Sequence, residues 1–310
     1  MGEKEEPQPL FGIGGMVIVW VWAAIIWFVM RYVVGWDWFK ATAIDWAIIW
    51  MAFFFLGFEN WPFNKIKQPF QGIIVAALCH IFGVLHWYVL EWIGWDPNVY
   101  LVPILCNLFF LMALSLFCLD NEYMANVKQP AKGILNNLLW YMGAIVLALW
   151  APMGGIPAHW FPWGLVVNLG FGKYMLRGMK QPSKGIMQLA LWVFGIMIYT
   201  IIMSVFFGIQ WGTNQYFIWY GVWDVWCFTW FVYFMHWPWR KLGQPWNGTI
   251  GAIVSFISTA IWVQILLLFL PWEEISVLGF AANAAMFMLG LNINYGFPKC
   301  FKYIITWEQS

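Results

Sequence analysis

The chain has 310 residues, of which 63% are hydrophobic and only 9% are charged, and its formal net charge is +1. This composition excludes a soluble globular domain and predicts an integral membrane protein. We expect the lipid bilayer as the first partner, and we expect no nucleic-acid partner.

Apolar runs recur along the whole chain, and a run of about 18 residues or more is long enough to cross a hydrocarbon core. The runs are continuous and do not alternate between apolar and polar residues, which favours helices over a barrel. The predicted fold class is therefore an all-α integral membrane protein, with residues 1–310 in a single transmembrane domain. The acidic N-terminus carries no cleavage site, so we expect the first span to be retained.

The motif Q-P-x-x-G occurs five times and gives the chain an internal period. Its glutamines stand at positions 8, 68, 129, 181 and 244. Regular recurrence of this kind indicates a repeat architecture. We predict five parallel helical hairpins, over approximately 8–67, 68–128, 129–180, 181–243 and 244–302. The hinge residues assigned a structural role are Gln68, Pro69, Gly72, Gln129, Pro130, Gly133, Gln181, Pro182, Gly185, Gln244, Pro245 and Gly248.

The residue types of this hinge predict what it does. Proline is favoured at the first position of a helix, where its missing N–H costs nothing, so Gln-Pro should start a span. The glycine three residues later has no side chain and would let a neighbouring helix approach closely. Each hairpin then holds two spans, which gives about ten: 13–34, 42–59, 72–93, 99–119, 133–151, 159–175, 185–208, 214–236, 249–270 and 275–293.

Basic residues are distributed unequally between the two ends of these spans. Of the 15 Lys and Arg residues, 13 fall on the side of the hinges, and only Arg31 and Lys40 fall on the other. Because cytoplasmic loops carry the excess of Lys and Arg, we expect the hinges and both termini to face the cytoplasm. The predicted location is the cell membrane, as a multi-pass protein.

Asp224 is the strongest candidate for a functional residue, because a carboxylate near the middle of a membrane is costly and is by default a functional hypothesis. Its segment is rich in aromatic residues, with Trp219, Trp223, Trp226 and Trp230 on one stripe of the helix. The predicted substrate-binding residues are Asp224, Tyr220, Trp223, Cys227 and Phe231. Further polar lining is predicted from Asp45, His86, Asn107 and Asn283.

Aromatic rings beside a buried carboxylate suit a cation whose charge is spread over methyl groups. The leading functional expectation is therefore a transporter or channel for a small organic cation, such as a methylated amine or a betaine. Two alternatives stay open. One is a membrane anchor or assembly subunit of a larger complex, and the other is a passive channel for a small neutral solute. A homo-oligomer is compatible with each of these.

The chain shows no sign of enzymatic or cofactor chemistry. It contains no nucleophile elbow, phosphate-binding loop, dinucleotide fingerprint or zincin motif. Its four histidines do not form a pair at a common depth on two helices, as a membrane haem requires. Metal-ligand spacings of Cys and His are also missing. We therefore predict no enzyme activity, no cofactor and no metal.

Overall fold

The structure is a computed structural model that describes residues 9–41, 46–51, 53–54, 58, 62–67, 70–96, 103–104, 107–108, 110–112, 114–118, 124, 126–150, 161–172, 174–211, 213–234 and 236–286. Every regular element in these ranges is helical, which confirms the predicted all-α class for this part of the chain.

The helices follow the apolar runs of the sequence. In chain order the α-helices are α1 (Leu10–Phe28), α2 (Trp38–Ala41), α3 (Trp46–Met51), α4 (Phe70–Trp92), α5 (Ala131–Trp150), α6 (Phe161–Leu165), α7 (Ser183–Phe207), α8 (Asn214–Phe228), α9 (Trp246–Leu267) and α10 (Trp272–Ala285). Single π-helical turns occupy Val29–Val33, Leu114–Cys118, Val166–Gly170 and Thr229–Tyr233. Short 3₁₀ turns occupy Phe63–Lys65, Tyr174–Leu176 and Trp239–Leu242.

Five of these helices are long and apolar enough to cross a membrane. They are Gly12–Val33, Phe70–Trp92, Ala131–Trp150, Ser183–Phe207 and Trp246–Leu267, and each corresponds to the first predicted span of a hairpin. The protein is accordingly a membrane protein by helix length and composition. The number of ten spans stays a prediction, since several of the second spans lie partly outside the described residues.

The long helices and the shorter helices differ in burial. Only 22–39% of the most apolar window of each long helix is buried, and large side chains such as Leu138, Val146 and Ile257 are at least half exposed. By contrast, α10 is buried from Glu274 to Gly279, and α8 is buried along most of its length. Apolar surface of this extent on the long helices is suited to lipid.

In the hinges whose prolines the structure describes, the helix starts one residue later than the sequence predicts. Gln8, Gln68 and Pro69 lie outside the described residues. Pro9, Pro182 and Pro245 stand at the N-cap and not at the first helical position. The reason is that the hinge glutamine takes part in capping. The side-chain Oε1 of Gln244 accepts the N–H of Gly248 at 3.2 Å, satisfying a backbone donor in the first turn. Gln129 accepts the N–H of Gly133 at the same distance.

The hinge glutamines also bind an earlier part of the chain. The Gln244 amide donates to the carbonyl of Gly170 at 2.9 Å, and the Gln181 amide donates to the carbonyl of Cys118. Gly170 and Cys118 are the last residues of their π-helical turns. Each of these turns ends eleven residues before a hinge glutamine, as does the turn that ends at Tyr233. The same kind of hydrogen bond, from a hinge glutamine to the last residue of a π-helical turn, thus occurs twice.

The hinge glycines lie where no side chain would fit. A Cβ on Gly185 would lie 2.8 Å from the carbonyl oxygen of Cys118, and one on Gly248 would lie 2.5 Å from the ring of Phe171. A Cβ added to Gly12, at the equivalent position of the first hinge, would also lie 2.5 Å from the ring of Phe234. Phe171 and Phe234 each stand ten residues before a hinge glutamine. The first hinge therefore contacts a residue much later in the chain, whereas the later hinges contact residues earlier in the chain.

The helix packing follows the same rule. The long helix α9 packs against α8 and the π-helical turn Val166–Gly170, and α7 packs against α6 and the turn Leu114–Cys118. The first helix, α1, packs against the last described one, α10, and against the turn Thr229–Tyr233. Each of these long helices therefore lies against two shorter segments, and the two ends of the described chain are in contact.

Candidate substrate site

Asp224 lies within α8, ten residues after the helix begins at Asn214, and it is 8% exposed. Thr213 starts this helix, because its Oγ1 accepts the N–H of Tyr216 at 3.3 Å. Ten residues of helical rise place the carboxylate about 15 Å from that start. The helix continues through the π-helical turn Thr229–Tyr233, so Asp224 lies near the middle of a continuous helical segment.

Buried tyrosines lie near Asp224. Asp224 is within electrostatic range of Tyr199 and Tyr220, which are 1% and 3% exposed. The rings of these two tyrosines meet edge to face with centroids 4.9 Å apart. Tyr216 continues the cluster, with its ring 5.2 Å from that of Tyr199 and its hydroxyl 2.8 Å from Oγ1 of Thr200. This cluster of buried tyrosines includes Tyr220, which lies one helical turn before Asp224 on α8.

Trp223 is adjacent to Asp224 in sequence but is engaged in packing. Its ring is stacked on Tyr199 with a centroid distance of 5.1 Å and an interplanar angle of 6°. Its Nε1 donates to Oγ of Ser255 at 3.0 Å, which ties α8 to α9. Because Tyr199 covers one face of the indole, Trp223 orders the wall of the site and does not offer that face to a ligand.

The rest of the tryptophan stripe also faces α9. Trp230 donates through Nε1 to Oγ of Ser258 at 2.9 Å, and the rings of Trp226 and Trp262 lie 6.1 Å apart. The Trp219 ring lies 6.0 Å from that of Phe256. The stripe is therefore a contact between helices.

Two further predicted site residues, Cys227 and Phe231, make contacts with other segments of the chain. Cys227 lies within electrostatic range of Asp224, but its Sγ donates to Oγ of Ser255 at 3.5 Å. Phe231 lies farther along the chain, where a Cβ on Gly170 would meet its ring at 2.9 Å and a Cβ on Gly251 would meet it at 2.5 Å. Phe231 belongs to the π-helical turn that begins at Thr229, and its place at the substrate site stays a prediction.

Asn283 is brought to the same region from the last described helix. Its Nδ2 donates to the carbonyl of Gly221 at 2.9 Å and to that of Gly279 at 3.2 Å, and the residue is 6% exposed. Gly221 precedes Asp224 by three residues on α8. The fold therefore places a buried amide within about one helical turn of the buried carboxylate.

His86 and Asn107 belong to another part of the molecule. The Nε2 of His86 lies 2.5 Å from the hydroxyl of Tyr141, and the His86 ring contacts that of Trp50. Asn107 donates to the carbonyl of Pro103 at 2.8 Å, within its own helical segment. These residues adjoin a second apolar cluster that includes Ile49, Phe53, Trp87, Leu108 and Trp140. Asp45, the fourth predicted lining residue, lies outside the described residues.

Tyr199 and Ser255 are the main contributors to the site that sequence reasoning missed. Each lies on a long helix, α7 or α9, and each reaches α8 only through packing. No local pattern marks them. Within the described ranges, no group of three or more His, Cys, Asp or Glu residues could hold a metal ion.

Comparisons with known proteins add no family to this description. No protein-family model, curated protein or solved structure matches the chain.

Proposed function

We propose that the protein transports a small organic cation, such as a methylated amine or a betaine, across the cell membrane, and that Asp224 is the binding carboxylate. The observation that carries this proposal is the burial of Asp224 in the middle of a helical segment among tyrosine rings. A carboxylate in that position costs about 2.5–3.5 kcal/mol on insertion scales. A cation that binds beside it offsets this cost.

The chemistry of the site favours a methylated cation over a metal ion or a primary amine. Tyr199 and Tyr220 supply ring surfaces and few hydrogen-bond acceptors, whereas a primary ammonium needs several acceptors when it leaves water. A quaternary ammonium needs none and is attracted to ring surfaces.

The proposal includes ten spans arranged as five hairpins in a closed ring. Two contacts of hinge residues with π-helical turns support it, because the hinges of the fourth and fifth units contact the second and third units, two places earlier in each case. A ring of five has one more consequence, which is that the first hinge should contact the fourth unit. The contact between Gly12 and Phe234 is the one that such closure requires.

The proposed orientation places the hinges and both termini in the cytoplasm. The excess of Lys and Arg on the hinge side supports it. Arg31 and Lys40, the two basic residues on the other side, pair with Glu274 and Glu91 at 2.5 Å and 3.6 Å. Their charges are thereby offset, so they weigh little against the asymmetry.

A thermal-shift experiment tests the proposed site. Purified protein in detergent should gain thermal stability with choline, betaine or tetramethylammonium, since a ligand that binds only the folded state stabilises it. Asp224→Asn should remove the effect. Glu273→Gln is the matched control, because Glu273 is an exposed carboxylate and its substitution should leave the effect intact. Stabilisation that survives Asp224→Asn would refute the proposed role of this residue.

The stacking of Trp223 on Tyr199 favours a second candidate, which is a membrane subunit that anchors a larger complex. Rings that cover each other suit a rigid scaffold. Such a subunit would co-purify with a partner at fixed stoichiometry, and uptake of labelled choline into proteoliposomes would be absent in both the native protein and the Asp224→Asn variant.

A further inference from the structure

The ammonium group of Lys40 lies among three aromatic rings on the side opposite the hinges. Its Nζ is 5.3 Å from the ring centroid of Trp36, 5.3 Å from that of Tyr88 and 5.7 Å from that of Trp87. The carboxylate of Glu91 lies 3.6 Å from the same nitrogen. We refer to Trp36, Trp87, Tyr88 and Glu91 as the outer cage.

Contacts that do not involve the Lys40 side chain hold much of this cage in place. Trp87 donates through Nε1 to Oε1 of Glu91 at 2.8 Å, one turn further along α4. Trp36 and Tyr88 meet edge to face with centroids 6.5 Å apart. The carbonyl of Trp36 accepts a hydrogen bond of 2.6 Å from Nη1 of Arg31, which fixes the chain before α2. The walls would therefore persist if another cation replaced the lysine.

Three rings with one carboxylate are more than an ordinary ion pair of a lysine needs. Exposed lysine–glutamate pairs form without aromatic walls and contribute little. Aromatic cages recognise methylated ammonium groups, whose charge is diffuse and whose surface is apolar. The primary ammonium of lysine is compact and strongly hydrated, so it gains less from such walls. The cage is therefore better matched to a methylated cation than to its present occupant.

One side of the cage is accessible, whereas Trp87 is buried at 1% exposure. The Lys40 side chain is 27% exposed and that of Glu91 is 42% exposed, and Tyr88 is 46% exposed. A cation arriving from the side opposite the hinges could reach Glu91 without rearrangement of the helices, while the flexible lysine side chain moved back into water.

We propose that the outer cage is a binding site for methylated ammonium ions and that Lys40 occupies it as an internal competitor. This inference rests on the proposed function for its physiological meaning. The cage would bind the same class of cation before the cation reaches Asp224. A tethered lysine is present at a high effective concentration, so it keeps the affinity for the free cation low.

The test is tetramethylammonium binding to purified variants, followed by intrinsic tryptophan fluorescence. All variants carry Asp224→Asn, so a failure of the site at Asp224 does not affect the result. Lys40→Ala should lower the apparent Kd for tetramethylammonium by about tenfold or more, because removal of the competitor frees the cage. Lys67→Ala, which removes an exposed lysine on the hinge side, should leave the Kd unchanged.

A second pair of variants keeps the test decisive. Lys40→Met retains most of the apolar stem of the lysine and should also improve binding. It replaces Lys40→Ala in the test if that variant folds poorly. Adding Glu91→Gln to either variant should abolish the gain, since the cage then lacks its charge. The proposal would be overturned if both Lys40 variants bound tetramethylammonium with the affinity of the Asp224→Asn parent, or if Glu91→Gln did not change the affinity of the Lys40 variants.

Discussion

Arg31 and Glu274 form a two-point ion pair that joins the first long helix to the last described one. Nη2 and Nε of Arg31 donate to Oε1 of Glu274 at 2.5 Å and 2.9 Å, and Nε also lies 3.0 Å from Oε2. Trp27 donates through Nε1 to Oε2 at 2.6 Å. The two charged residues are 243 positions apart in the chain, so their pairing depends on the contact between α1 and α10.

Replacing Arg31 by alanine should destabilise the protein by about 2–3 kcal/mol, because the carboxylate of Glu274 would stay buried without its cation. The measurement is the thermal unfolding midpoint in detergent. Arg177→Ala, at an exposed arginine, is the control and should change the midpoint little. The double variant Arg31→Met with Glu274→Leu should recover part of the loss; if it is less stable than Arg31→Ala, the uncompensated charge is not the cause.

The same pair predicts how stability depends on pH. Hydrogen bonds from Arg31 lower the pKa of Glu274, which precedes the tenth predicted span, below its ordinary value of 4.5. A lowered pKa in the folded state stabilises the protein above the ordinary value, and this contribution is lost as the pH falls through the folded value. Thermal unfolding between pH 6 and pH 3 should therefore show a smaller loss of stability for Glu274→Gln than for the native protein. Parallel curves would contradict this assignment.

The hinge glycines give a second stability prediction. Gly185→Ala should destabilise the protein by about 1–3 kcal/mol, because the added Cβ would meet the Cys118 carbonyl, a backbone atom that cannot move aside easily. Gly14→Ala provides the matched control within α1, since no atom lies within 4 Å of its added Cβ. That variant should be neutral or slightly more stable, as alanine favours helix. Equal midpoints for the two variants would show that the contact is not tight.

Gln244 offers a test of the contact between a hinge and a π-helical turn. Gln244→Ala removes the donor to the Gly170 carbonyl and the acceptor for Gly248, so unfolding should become easier by about 1–3 kcal/mol. Gln264→Ala is the comparison, because Gln264 is an exposed polar residue on a long helix. A loss of stability limited to Gln244→Ala supports the contact, whereas similar midpoints for the two variants argue against it.

Several features of the candidate site could be anticipated from sequence and others could not. The depth of Asp224 was predicted by counting residues along one helix, and the structure shows that the residue is buried. Phe231 was assigned to the same face by assuming a regular α-helix, and the segment instead includes a π-helical turn from Thr229, so the assignment of Phe231 stays a prediction. His86 was expected near Asp224 because the two have similar depths. Depth alone does not specify which helices are neighbours.

The membrane class, the all-helical fold and the starting points of the long helices were all determined by properties of short segments. Hydrophobicity, helix length and the Gln-Pro hinge act over one to three turns, so the chain shows them without its tertiary structure. The pairs Arg31–Glu274, Gly12–Phe234 and Tyr199–Trp223 were decided by packing among helices that are distant in sequence. Apolar helices have many ways of packing in lipid, and side-chain complementarity, which only the folded arrangement reveals, selects one of them.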